Sequence, residues 1–174
     1  IQVSYPTLTR RARELGLSRP GKTRCGHVPD EPGVEMQHDT TVYRVKLAGK
    51  PARVISSLLY LRYSKRRYLK FYRVFNRFAM KCFLHEALLF WGHAAKQCVI
   101  DNTNLARLRG SGKQAVIVPE MAAFAERFGF SFHAHEKGDA NRSARVERPF
   151  DFIDHNFLVG RTFADWADLN RQAV

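Results

Sequence analysis

The order of periodic segments predicts an α/β fold built on five strands. Three strand-like runs follow one another, Val34 to Leu47, Ala52 to Tyr63 and Arg67 to Val74, and a tight turn near Ser64-Lys65-Arg66 joins the last two into a meander. Helical and strand-like segments alternate after that. The 174 residues, 45% of them hydrophobic, suffice to bury one sizeable core.

The first periodic segment, Ser4 to Gly16, reads as one helix: Ser4 is the N-cap, Pro6 lies in the tolerant first turn and Gly16 takes the C-terminal cap. Tyr5, Leu8, Ala12 and Leu15 are its expected buried stripe, with Arg10, Arg11 and Arg13 left outside. Spacing alone fits an ordinary amphipathic helix best; the same arginines also suit the last helix of a truncated helix-turn-helix (residues 1–16). Residues 17–33 hold Pro20, Gly21, Gly26, Pro29, Pro32 and Gly33 and read as a linker.

After the meander, Asn76 is expected to cap a helix with a Phe75–Met80 staple, a core stripe of Met80, Phe83, Leu84, Ala87, Leu88 and Trp91, and Gly92 as the stop. Gln97 to Ile100 is a short buried strand, so Asp101 falls at its carboxyl end, where open α/β sheets place ligands. Pro119 opens a further helix (Met121, Phe124, Ala125, Phe128, stop at Gly129), and Phe130 to Ala134 is the fifth strand. Val146, Phe150, Ile153 and Phe157 keep helical spacing, and Thr162-Phe163-Ala164-Asp165 resembles a capping box for a last helix in the extension 161–174.

Charge points to a partner. Lys and Arg number 29 against 16 Asp and Glu, a net charge of +13, which favours a polyanion, nucleic acid first. Thr40 to His85 contains no acid but twelve bases: Arg44, Lys46, Lys50, Arg53, Arg62, Lys65, Arg66, Arg67, Lys70, Arg73, Arg77 and Lys81. Three unevenly spaced cysteines, Cys25, Cys82 and Cys98, argue against a disulfide framework, and Cys25-Gly26-His27 lacks a second ligand pair for zinc. No run is long and apolar enough to span a membrane and no secretory signal opens the chain, so a reducing, cytoplasmic setting is expected. Arg109-Gly110-Ser111-Gly112-Lys113 lacks phosphate-loop spacing, and no cysteine or serine triad is legible.

Three acids stand out: Asp39 in Gln37-His38-Asp39-Thr40-Thr41, Asp101 after Gln97-Cys98-Val99-Ile100, and Glu147 in Arg145-Val146-Glu147-Arg148. Hard oxygen ligands converging from separate elements are what a two-metal phosphoryl-transfer site requires. Glu136, Asp139, Asp151 and Asp154 are alternatives for the third position, because Pro149 restricts a helix around Glu147. His38, His133 and His135 are expected to be surface or hydrogen-bonded residues rather than ligands.

The element order, with acids on the first strand, after the fourth and at the last helix, resembles the ribonuclease-H-like core of retroviral integrases and DDE transposases, a mixed five-stranded sheet flanked by helices. Gln37-x-Asp39-x-Thr41 is similar to the first-strand signature and Asp101-Asn102 to the second; the step from Asp101 to Glu147 is longer than in retroviral integrases. Cys98 to Thr103, Val118-Pro119-Glu120-Met121, Phe128-Gly129-Phe130 and Phe157 to Phe163 resemble IstA-type transposases of two-gene insertion sequences.

The resemblance implies a catalytic core over residues 34–160 that cleaves and transfers DNA strands at element ends. It implies two Mg2+ ions, or Mn2+ in their place, held by Asp39, Asp101 and Glu147, with Asp39 bridging. It also implies a homo-oligomer on DNA and a partner AAA+ ATPase. Arg10, Arg11, Arg13, Lys65, Arg66, Arg67, Arg107, Arg109, Lys113, Arg142, Arg145 and Arg148 are the expected nucleic-acid contacts. A non-catalytic DNA-binding remnant and a nuclease acting on RNA–DNA hybrids are the other readings of the same residues.

Overall fold

A computed structural model describes residues 4–17, 30–101, 104–135 and 150–174. Strands β1 (Glu35–Leu47), β2 (Lys50–Leu61), β3 (Arg67–Tyr72), β4 (Gln97–Ile100) and β7 (Ser131–Ala134) form one sheet in the order β3-β2-β1-β4-β7. β1, β2 and β3 pair antiparallel, whereas β4 pairs parallel with β1 and β7, so the sheet is mixed and five-stranded as the sequence predicts. A second, two-stranded sheet of β5 (Arg107–Arg109) and β6 (Val116–Ile117) was not foreseen, since runs of three and two residues carry no periodicity.

Alternation divides the sheet into two covered faces. Met36, Leu59, Leu61 and Tyr68 join Cys98, Ile100, Phe132 and Ala134 under helices α2 (Arg77–Trp91) and α3 (Pro119–Arg127). Val45, Val54, Leu58, Leu69 and Phe71 face the other way and pack against Ile153, Phe157, Phe163 and Leu169 from the end of the chain.

α2 matches its expected form. The Asn76 side chain accepts from the Ala79 amide at 2.9 Å, Gly92 closes the helix in the left-handed conformation, and all six stripe residues from Met80 to Trp91 are buried. Burying each large member stabilises the fold by roughly 1.5–3 kcal/mol.

Three local expectations are corrected. Helix α1 (Tyr5–Glu14) forms as expected, but its stripe is not buried: Tyr5, Leu8 and Leu15 are exposed, and among the described residues nothing covers them. The Phe150–Ile153–Phe157 stripe does face the core, yet Ile153–Leu158 winds as a π-helix rather than an α-helix. Helix α4 (Trp166–Ala173) is capped three residues later than the expected box. The Asp165 side chain accepts from the Asp168 amide at 2.7 Å, and the Asp168 side chain accepts from the Ala164 amide at 2.9 Å. Phe163 is the reason: it is buried, bridges Leu47, and its carbonyl accepts from the Ala48 amide at 2.9 Å, which holds this stretch extended.

A buried ion network fixes the start of β1. The Arg62 guanidinium donates to both Glu35 oxygens at 3.0 Å and to Asp30 at 2.6 Å; Lys65 reaches the other Asp30 oxygen at 2.6 Å, and Gln37 donates to Glu35 at 2.9 Å. Arg62 and Glu35 are each 7% exposed, so the pair is shielded from solvent and each charge depends on the other.

Candidate active site

The parallel ladder between β1 and β4 ends at His38 opposite Ile100. The next residue on each strand is an acid, Asp39 and Asp101, and the gap where the strands part is a cleft of about 70 Å³ lined by His38, Asp39, Thr40, Asp101 and Leu105. A single water needs roughly 10–15 Å³ of such space, so the cleft has room for an ion with several waters.

The walls of this cleft differ in chemistry. His38 is buried, hydrogen-bonded to the Ser57 hydroxyl at 2.8 Å, stacked on Phe75 and tilted against Phe83. Desolvation lowers its pKa to about 3, so it is a neutral core histidine, the hydrogen-bonded role the sequence suggested. Asp39 is partly buried, and one of its oxygens accepts from the Thr40 amide at 2.7 Å. Burial raises its carboxyl from the ordinary 3.8 to about 6; the Thr40 bond opposes this and the charge of Asp101 adds to it. Two carboxylates in one small cleft are the donor set a hard divalent cation takes.

The raised Asp39 carboxyl makes stability depend on pH. An acid whose folded value lies above its unfolded one binds protons better when folded, so its penalty grows as pH rises from about 4 to 6 and is complete above. In chelator, Asp39→Asn is expected to raise stability at pH 7.5 by on the order of 2 kcal/mol and to have little effect at pH 3.5. Thermal melts at both values check this, and an equal shift at both would contradict it.

Among the described residues, no three His, Cys, Asp or Glu side chains converge as a metal site. Glu147, Glu136 and Asp139 lie outside the described residues. Asp151 and Asp154 are exposed and stand beside Tyr43, whose hydroxyl is pushed up by burial first and then by their charges. Tyr43 is four residues beyond Asp39 on β1, about 13 Å at the usual strand rise, and neither aspartate lines the cleft.

The expected nucleic-acid contacts are scattered. Arg10, Arg11 and Arg13 are exposed on α1, with Arg11 2.8 Å from Glu14. Lys65 belongs to the Asp30 network, Arg66 is exposed at the β2–β3 turn, and Arg67 lies over the Phe152 ring at 4.5 Å. Arg107 and Arg109 lie on β5, just after the loop that brings Leu105 to the cleft, and Lys113 lies in the 3-10 turn Gly112–Gln114 of that hairpin. Arg142, Arg145 and Arg148 are outside the described residues. Leu105 was not singled out from the sequence, and a lone leucine in a loop gives no signal that would have found it.

No family model matches the chain. The chain is 26% identical over 163 residues to the transposase for insertion sequence element IS640 of Shigella sonnei, covering 88% of this chain and 49% of that protein. It is 25% identical over 157 residues to the transposase for insertion sequence element IS21 of Pseudomonas aeruginosa, covering 88% and 40%. The chain thus spans about half or less of the length of these relatives.

Among solved structures, a chain of the simian T-cell lymphotropic virus intasome in complex with PP2A regulatory subunit B56 gamma superposes with a TM-score of 0.56 at 13% identity, over 85% of this chain and 50% of that one. The HTLV-2 integrase catalytic core domain in complex with magnesium superposes with a TM-score of 0.50 at 13% identity, over 82% of each. The chain is therefore similar in sequence to insertion-sequence transposases, and its mixed sheet with flanking helices is the ribonuclease-H-like fold of integrase catalytic cores.

Proposed function

We propose that this chain is the catalytic core of a DNA transposase of the DDE, IstA-like kind, which cleaves and transfers strands at the ends of its element. The observation that carries the reading is the meeting of Asp39 and Asp101 in one cleft at the end of the β1–β4 ladder, on a chain of net charge +13. Similarity to two insertion-sequence transposases supports it.

Asp39, Asp101 and Glu147 would hold two Mg2+ ions, with Mn2+ able to substitute. The Tyr43 hydroxyl donates to the Phe150 carbonyl at 3.2 Å, so the described chain resumes at Phe150 against β1, the strand that carries Asp39. Bound cations would supply activation of the attacking oxygen and stabilisation of the leaving one at phosphorus. The protein's own part is placement. Asp39 and Asp101 follow the last rung of the strand ladder, buried His38 lines the cleft beside them, and Arg107 and Arg109, two and four residues after cleft-lining Leu105, would meet phosphate oxygens. In this reading residues 34–160 are the core, 1–16 belong to a DNA-binding helix-turn-helix joined by the 17–33 linker, and 161–174 begin a helical extension. The protein acts as a homo-oligomer on DNA with an AAA+ helper ATPase, in the cytoplasm; among the described residues no helix is long and apolar enough to cross a membrane.

The test is cleavage of end-labelled duplexes carrying the DNA that flanks the protein's own gene, with Mg2+, Mn2+ or EDTA. Nicked products with either metal and none in EDTA are expected. Duplex binding without nicking under every condition would leave a DNA-binding protein and no nuclease.

A further inference from the structure

Resting on the transposase reading above, the geometry points to the exposed face of the β1–β2 ribbon, centred on the Arg44–Arg53 pair, as a docking surface for the phosphate backbone of duplex DNA. β4 pairs with β1 only as far as His38, and β3 pairs with β2 only as far as Ile55, the partner of Val42. Beyond those rungs, residues 43–47 and 50–54 continue as a two-stranded ribbon closed by Ala48-Gly49, both at positive φ.

The two faces of the ribbon differ. Tyr43, Val45, Leu47 and Val54 pack into the cluster under the C-terminal helices. Val42, Arg44, Lys46, Pro51 and Arg53 alternate with them and are exposed.

Arg44 and Arg53 are direct cross-strand partners, an arrangement that costs stability because like charges stand on adjacent strands. Most other bases of the acid-free stretch are engaged: Arg62 and Lys65 with Asp30, Lys70 with Glu86, Arg77 and Lys81 with Glu120, Arg67 over Phe152 and Arg73 over Trp166. Among the described residues, none of Arg44, Lys46, Lys50 and Arg53 has an acidic partner. A rigid ribbon with a covered back and a bare cationic front complements a polyanion. Duplex DNA offers about one phosphate per 1.7 Å of axis, a charge density that a paired row of arginines on one strand face can meet.

The experiment measures binding of this chain to a fluorescent 30-base-pair duplex of random sequence by anisotropy across a salt series. It compares the unmodified chain, Arg44→Gln/Arg53→Gln, and a control of equal charge loss, Lys96→Gln/Arg127→Gln. The ribbon variant is expected to bind at least about tenfold more weakly, with its log–log salt slope reduced by roughly 2, near 0.9 per lost phosphate contact. Its thermal melt should be unchanged or higher, because a like-charge pair has been removed. The control should keep its slope.

Four results would overturn the proposal: an unchanged slope in the ribbon variant, an equal loss in the control, no duplex binding by the unmodified chain at low salt, or tighter binding of double-stranded RNA than of DNA. Aggregation of the ribbon variant at unchanged affinity would likewise overturn it, by showing that these cations only guard an exposed strand edge. Metal-dependent cleavage is scored separately, so the ribbon can fail while the cleft assignment stands.

Discussion

Asp39→Asn and Asp101→Asn are each expected to reduce strand cleavage by at least about 10³-fold, close to 4 kcal/mol of transition-state stabilisation, while duplex binding stays largely intact. The two acids line one cleft, and an amide in place of either carboxylate removes the negative charge that a divalent cation requires. The basic surface is untouched by both changes, which is why cleavage and gel-shift assays should separate. Glu147→Gln is expected to behave alike if Glu147 is the third ligand; near-normal cleavage would transfer that role to Glu136 or Asp139. A cation-binding readout adds an independent check: Mg2+ should raise the melting temperature of the unmodified chain and not that of Asp39→Asn.

The second large effect concerns stability. Arg62→Ala is expected to cost about 3–5 kcal/mol, because it leaves Glu35, only 7% exposed, as a buried charge without its guanidinium. Replacing the pair together, Arg62→Met with Glu35→Leu, should recover most of the loss, since apolar side chains of similar size remove the uncompensated charge as well as the bond. Urea unfolding of the single and double variants measures both. Equal destabilisation by the two would mean that the network contributes through Asp30 and Lys65 rather than through the buried pair.

Helix α2 was fully legible in the sequence because three independent signals agree at fixed spacing: the Asn76 cap, the stripe from Met80 to Trp91 and the Gly92 stop. The five main strands were legible in chain order from their apolar runs and turn residues, whereas their mixed sheet came from the resemblance. In α1 the stripe of Tyr5, Leu8 and Leu15 was readable, but periodicity says which side is apolar and not what covers it. Long-range pairing accounts for most of the remainder. Nothing near Lys65 in sequence reveals that its ammonium meets Asp30, 35 positions away, and nothing near Arg44 reveals that Arg53 stands opposite it. In the candidate site, Asp39 and Asp101 were identified as a pair from motif order, whereas the burial that lifts Asp39 to about 6 depends on the fold.

The ladder that ends at His38 and Ile100 has a consequence for sequence drift. Backbone hydrogen bonds hold neighbouring strands about 4.8 Å apart whatever side chains they carry, and the two aspartates are the first residues past that last rung. Their placement thus begins from main-chain geometry. Substitutions in α2, α3 or the C-terminal helices therefore act on stability long before they displace the acids, and a lineage can exchange most of its core residues while the pair keeps its place.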